Sequence, residues 1–285
     1  MLKCIHRTLF LFLLSSSIVL ACGSITQTSI PSTSTFIPTT IPSPFPTLAS
    51  TSEPADTGWQ VLQPGLERRM MRLFNDEGQH IEALYIYRLD QNQFRLDIAY
   101  HETPQNLEDW QKETNALLIV NGGFYRVENE KHIPNGLTIV NGQVMGSSYD
   151  AFAGMLAINE GWADLRWLAQ QPYDPVEPLQ AALQSFPVLV KPGGELGFPA
   201  EFEDNVQARR TVIGQDKDGR ILFIVAPRGH FTLHQLSLYL TESDLNLDIA
   251  INLDGGPSSG IWVTQPREVI PSQTLLPIVI LVYPR

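Results

Sequence analysis

Two apolar runs restrict this chain more than any other feature: Ala116-Leu117-Leu118-Ile119-Val120, which runs into Asn121-Gly122-Gly123, and Ala250-Ile251-Asn252-Leu253, which runs into Asp254-Gly255-Gly256. Aliphatic runs of this length, stopped by a polar residue and glycines, read as buried strands. A strand end holds Asn121 and Asp254 in defined positions. The glycines let backbone N–H groups approach a ligand, and Ser258 and Ser259 add hydroxyls, so the second loop suits a phosphate or a sugar. Taken alone, Asp-Gly-Gly is also an ordinary turn after a strand. Asn121-Gly122 read as a hairpin turn would need a return strand at once, and Arg126 to His132 is polar.

Around these runs the pattern is mostly β. Glu67 to Phe74, Ile81 to Tyr87 and Phe94 to Tyr100 are expected as sequential antiparallel strands, the first two joined by Asn75-Asp76-Glu77-Gly78. Hairpins are expected at Asn141-Gly142 and at Asn159-Glu160-Gly161. Phe186-Pro187-Val188-Leu189-Val190 reads as a short strand, and Arg209-Arg210-Thr211-Val212-Ile213-Gly214 begins one that returns into Ile221 to Val225. The intervening Asp216-Lys217-Asp218-Gly219 is a turn rather than a calcium loop, because the twelfth position, where a bidentate acid belongs, is Pro227. Two helices are expected, one opening at Thr103-Pro104 and running through Leu107 and Trp110 towards Thr114, the other over Thr232 to Leu240. Leu179 to Ser185 reads as a helical turn or two. The fold class is α+β, a single domain of antiparallel strands and hairpins with a few helices.

The first residues look like an export signal. Lys3 and Arg7 precede the apolar stretch Thr8 to Leu20, and Val19-Leu20-Ala21-Cys22 resembles the bacterial lipobox. On that reading residues 1–21 are removed, Cys22 carries lipid and attaches the protein to the outer face of a bacterial membrane, and residues 22–57, rich in Ser, Thr and Pro, form a tether to a domain spanning 58–285. A plain secretory signal and an uncleaved anchor are the alternatives. Cys4 and Cys22 are the only cysteines, so a disulfide scaffold, a zinc-thiolate site and a cysteine nucleophile are all excluded from the domain. The net charge is −11, and without Lys3 and Arg7 there are 17 basic against 30 acidic residues. With no basic run, nucleic acid is not an expected partner. No cofactor is expected and no His or Asp cluster has a familiar metal spacing, although carboxylate sites for hard cations assemble from distant segments.

An exported domain without cysteine works with carboxylates, amides, arginines and histidines. Asn121 and Asp254 end strands, Arg209 and Arg210 precede one, and His230 follows one in a loop. Guanidinium grips phosphate bidentately, and imidazole titrates where acid–base chemistry needs it. In this order, Asn121-Gly122-Gly123-Phe124-Tyr125, Phe186-Pro187-Val188-Leu189-Val190, Arg209-Arg210-Thr211-Val212-Ile213-Gly214 and Asn252-Leu253-Asp254-Gly255-Gly256-Pro257-Ser258-Ser259 resemble the successive motifs of the phosphodiester glycosidase family. The resemblance runs from about Gly58 to Arg285 and is strongest from Ala116 onward.

That resemblance implies an α+β fold and hydrolysis of a sugar from a phosphodiester, a carbohydrate phosphodiester being the partner. It puts Asn121, Arg210 and Asp254 in the catalytic set. Gly122, Gly123, Arg209, Thr211, Arg228, His230, Gly255, Gly256, Ser258 and Ser259 are assigned to substrate. Phosphate leaves as a stable anion, so an arginine clamp and loop N–H groups suffice for departure, and Asp254 would stabilise the sugar cation or activate water. Two departures stand out. Pro257 occupies the place of a third glycine found in many members, and Pro227-Arg228-Gly229-His230 stands where many have Asp-Gly-Arg, with Arg228 as the substitute arginine. No second catalytic carboxylate is identified, so retention and inversion both stay open. The same fold used only to bind glycan, as a surface lipoprotein, is the alternative function.

Overall fold

A computed structural model describes residues 54–285. The expected signal peptide, Cys22 and all of the tether except its last four residues lie outside the described residues.

Strands β1 (Gln60–Gln63), β2 (Leu66–Phe74), β3 (His80–Leu89) and β4 (Phe94–Gln105) lead into helix α1 (Leu107–Thr114). Then come β5 (Leu118–Asn121), the hairpin β6 (Tyr125–Glu128) with β7 (Lys131–Pro134), and the hairpin β8 (Thr138–Val140) with β9 (Gln143–Met145). Next are β10 (Gly154–Asn159), β11 (Trp162–Trp167), β12 (Ala181–Ser185), β13 (Val188–Lys191) and β14 (Glu195–Leu196). The chain continues through β15 (Arg210–Asp216), β16 (Ile221–Ala226), α2 (Leu233–Glu242) and β17 (Leu247–Asn252), and ends with β18 (Ile261–Val263), β19 (Glu268–Ile270) and β20 (Leu276–Pro284).

An eight-stranded sheet has the order β1-β2-β3-β16-β15-β17-β13-β14, and two five-stranded sheets have the orders β11-β10-β12-β8-β9 and β19-β18-β5-β20-β4. All the ladders between these strands are antiparallel, as the hairpin signals imply. The main core lies where the three sheets meet: Phe223, Ile249 and Ile251 come from the first, Leu156 and Leu183 from the second, Leu118, Val120 and Ile280 from the third. Alternate residues of β16 divide between two cores, Ile221, Phe223 and Val225 into this one and Leu222, Ile224 and Ala226 into the layer under α2. Burial on both faces is why β16 reads as a continuous apolar run.

Helix α2 forms as expected, with Thr232 as its N-cap and Gln235 completing a capping box, and it buries Leu236 and Leu240 against Leu84, Ile86 and Ala250. The turn at Asp216 is closed by its own carboxylate, which accepts from the N–H groups of Asp218 and Arg220.

Three local expectations need correction. Thr103 and Pro104 belong to β4, and the cap of α1 is Asn106, whose side chain accepts from Asp109 N–H. Because β4 is an edge strand, Pro104 is tolerated there without an N–H, and β20 holds the segment extended as far as Gln105. Ala181 to Ser185 is strand rather than helical turn: β12 is buried between β10 and β8, and its ladder overrides the helical preference of Ala and Leu. The polar segment after Asn121 is a hairpin, β6–β7, turned by Asn129 and Glu130 at positive φ (50° and 65°). It does not return onto β5, whose neighbours are β18 and β20. Residues before Gly58 also bond to the domain, since Thr57 N–H donates to Met70 O and Asp56 accepts from Arg69.

Candidate active site

Strands β5, β15 and β17 come from distant parts of the chain, and the C-terminal ends of β5 and β17 meet the start of β15. One amide side chain joins them. Asn121 Nδ2 donates to Asp254 O at 2.7 Å, while its Oδ1 accepts from Thr211 Oγ1 at 2.8 Å and from Gly260 N–H at 3.0 Å. Asp254 N–H donates to Gly122 O and Leu253 N–H to Thr211 O, so the backbone ties the same three segments. Asn121 is 1% exposed and Thr211 fully buried. An amide suits this position because it donates and accepts at once, which a carboxylate does not.

Gly122 is required by packing: a Cβ there would stand 2.6 Å from Ile278 Cγ2, and its N–H donates to Ile278 O. Gly255 packs as tightly, 2.9 Å from Arg209 O for a built Cβ, and a Cβ on Gly123 would stand 3.2 Å from Gln184 O.

Asp254 sits half-buried at the end of this junction. Burial pushes its carboxyl up to about 6, against the opposing pull of hydrogen bonds from the Ser258 hydroxyl and Gly255 N–H. Arg210 flanks the next residue of the loop, with Nη1 4.0 Å from where a Gly255 Cβ would be. This guanidinium is buried; Nε donates to Phe231 O and Nη2 to Val206 O, both backbone carbonyls. Desolvation depresses its pKa, and Asp204 and Glu203 offset part of that effect from a distance. Nη1 has no protein partner among the described residues, and Arg210 makes no ion pair there. A desolvated cation without a carboxylate favours an anionic ligand. Arg210, Gly255 and Gly256 line a cavity of about 290 Å³ together with Phe124, Phe186 and Asn252.

Not every expected residue faces this cavity. Arg209 braces it from outside, with Nη2 donating to Ser259 O and Pro271 O and its carbonyl accepting from Gly256 N–H. Arg228 is exposed and reaches His80 O, while the N–H groups of Arg228 and His230 are held by the buried carboxylate of Glu82. No contact joins Arg228 or His230 to Asp254. The loop after β17 also differs from an open N–H cradle. The N–H groups of Gly256, Ser258 and Ser259 are all donated within the protein, to Arg209 O, Gly255 O and Gly256 O. Pro257 is exposed and is the second residue of a short 3₁₀ turn, Gly256–Ser258, where a missing N–H costs nothing. Ser259 Oγ is buried without a partner among the described residues.

Sequence reasoning assigned no role to Asn252, Phe186 or Glu82. Asn252 Nδ2 donates to Phe186 O at 2.9 Å, and its Oδ1 is buried without a partner among the described residues. Glu82 was detectable as a single acid inside the apolar run Ile81 to Leu84. Among the described residues, no three His, Cys, Asp or Glu side chains cluster as metal ligands.

Residues 114–279 match the phosphodiester glycosidase family, and the chain belongs to it. Among solved structures, the fold is similar to the catalytic domain of zebrafish N-acetylglucosamine-1-phosphodiester alpha-N-acetylglucosaminidase, auto-inhibited by its pro-peptide (TM-score 0.61, 20% identity, 78% of this chain and 85% of that one). It is also similar to a protein from Burkholderia pseudomallei described as exported (TM-score 0.55, 13% identity, 71% and 74%) and to a hypothetical protein from Synechocystis (TM-score 0.52, 12% identity, 78% and 62%). At these identities the structural likeness is one of fold. A search of curated proteins finds no match.

Proposed function

We propose that the chain is an exported, lipid-anchored hydrolase that cleaves a sugar from a glycosyl phosphodiester in envelope or exopolysaccharide material. The observation that carries this reading is a single loop, held by Asn121, that bears Asp254 with its carboxyl raised to about 6 and at Gly255 adjoins a buried Arg210 without a carboxylate partner. Arg210 Nη1 grips a non-bridging phosphate oxygen and stabilises the departing anion. Asp254, once ionised, stabilises the positive charge that develops at the anomeric carbon or takes the proton of the attacking water. Asn121 and Thr211 hold the loop that carries Asp254, Gly255 and Ser258; Gly122 and Gly123 admit close packing beneath it. Arg209, Gly256 and Ser259 fix its outer side. In this scheme Arg228 and His230, tied to Glu82, act at most on distal parts of a substrate.

A panel of sugar-1-phosphodiesters incubated with the purified protein tests this. The wild type is expected to release free sugar, and Asp254→Asn to release none above background. Absence of release by the wild type, or equal activity of the variant, refutes the reading. The engagement of the loop N–H groups within the protein favours a second reading, a surface lipoprotein that binds glycan without cleaving it. Calorimetry with recovery of the ligand separates the two, because a binder returns the glycan intact.

A further inference from the structure

The cavity at Arg210 has a neighbour. A second cavity of about 500 Å³ shares Phe186, Pro187 and Leu233 with it as a common wall. Beyond that wall the lining is aromatic, with Phe152, Trp167, Phe198 and Phe202. Phe186 is the hub, its ring 4.6 Å from Phe124 on the Arg210 side and 5.4 Å from Phe152 on the other. Only Lys191 and the indole of Trp167 bring polar side-chain atoms, and the Lys191 ammonium already lies over the Trp167 ring at 5.1 Å. A sugar would find few partners for its hydroxyls here, and each one desolvated without a partner is costly. Phe152 and Phe202 are nevertheless 54% and 66% exposed on this lining. Large aromatic side chains left in water around a concave apolar surface mark a ligand site.

We propose that the second cavity receives the alcohol portion of the phosphodiester, and that the substrate is a glycosyl phosphate esterified to a lipid-like alcohol. The inference rests on the hydrolase reading above for the position of the phosphate. It follows from continuity: a group attached to a phosphate on Arg210 and directed past Phe186 and Leu233 enters the aromatic cavity. Hydrolysis joins the oxygen of water to the anomeric carbon and breaks the bond from that carbon to the phosphate oxygen. The bonding pair leaves with the alkyl phosphate, and the water proton passes to Asp254. The product that keeps both contacts is therefore an alkyl phosphate monoester.

Titration calorimetry with methyl, butyl and octyl phosphate, below micelle-forming concentrations, tests the subsite without requiring the right sugar. Each buried methylene contributes about fourfold, so octyl phosphate is expected to bind at least about tenfold more tightly than methyl phosphate. Phe152→Ser and Phe202→Ser, both at exposed positions, should remove most of that preference while leaving methyl phosphate binding and the melting temperature unchanged. Equal binding of octyl and methyl phosphate, or a preference that survives both substitutions, overturns the proposal. Hydrolysis distinguishes the two readings. Cleavage of methyl and octyl esters of a sugar 1-phosphate with equal kcat/KM keeps the hydrolase and removes the lipid subsite. A chain-length preference in binding with no cleavage of any ester keeps the subsite and removes the hydrolase.

Discussion

Asp254 concentrates the chemistry of the proposed site in one titration. Its carboxyl is raised from the ordinary aspartate range to about 6, first by burial, so the charged form that would act predominates only above that pH. The acid limb of kcat/KM on a sugar phosphodiester is expected to rise with a midpoint near pH 6 and to level off above pH 7. A limb falling above pH 6 would instead make Asp254 a proton donor. The same shift affects stability, with a definite sign. Between about pH 4, where the unfolded chain ionises, and pH 6, the native state binds the extra proton, so stability falls as pH rises through that window and stays lower above it. Asp254→Asn is therefore expected to unfold later than wild type at pH 7.5, by up to about 3 kcal/mol, with no gain at pH 3.5. Urea denaturation at the two pH values measures this. A variant less stable at both would mean that the Ser258 and Gly255 hydrogen bonds outweigh burial.

At the scale of elements, the site exists because three strand ends are joined by an amide and one bare backbone position. Asn121→Ala would leave Thr211 Oγ1, Gly260 N–H and Asp254 O unpaired in a buried junction, a loss of about 2–4 kcal/mol that denaturant unfolding would register, together with a fall in turnover. Gly122→Ala places a methyl 2.6 Å from Ile278 Cγ2 and 3.1 Å from Ile278 O. The expected cost is about 1–3 kcal/mol. Ile278→Ala should recover only part of it, because the carbonyl stays in place; full recovery would show that the side chain is the whole obstacle. The hairpins Asn141-Gly142 and Glu160-Gly161 were legible because each carries its turn chemistry in two residues at positive φ. Strand β12 was not, since Ala181 to Ser185 has no local preference for strand and is held extended by β10 and β8.

For the whole molecule, the first described residues belong to the domain that follows them. Arg69, 7% exposed, donates to Asp56 at 2.5 and 2.9 Å and to Asp244, just beyond α2, at 2.9 and 3.0 Å, so it connects the start of the domain to the helical layer. A chain begun at Gly58 loses Asp56 and leaves the buried guanidinium with one carboxylate. It is expected to melt about 3–6 °C below a chain begun at Pro54, read by differential scanning calorimetry. Equal melting temperatures would show that Asp244 alone satisfies Arg69.

By itself the sequence determined the hairpins β8–β9, β10–β11 and β15–β16 with their turns, helix α2, strand β5 with Asn121 at its end, and strand β17, whose end at Asn252 falls two residues short of the expected Asp254. Each of these rests on periodicity or turn chemistry within a few residues of itself. The tertiary structure alone decided that the two strand ends meet at Thr211, that burial raises the Asp254 carboxyl, that Glu82 draws Arg228 and His230 away from the junction, and that an aromatic cavity continues from Arg210. The hydrogen bonds among them span 90 to 148 residues of chain, and all four depend on which faces three sheets bury together, a property that no local pattern encodes.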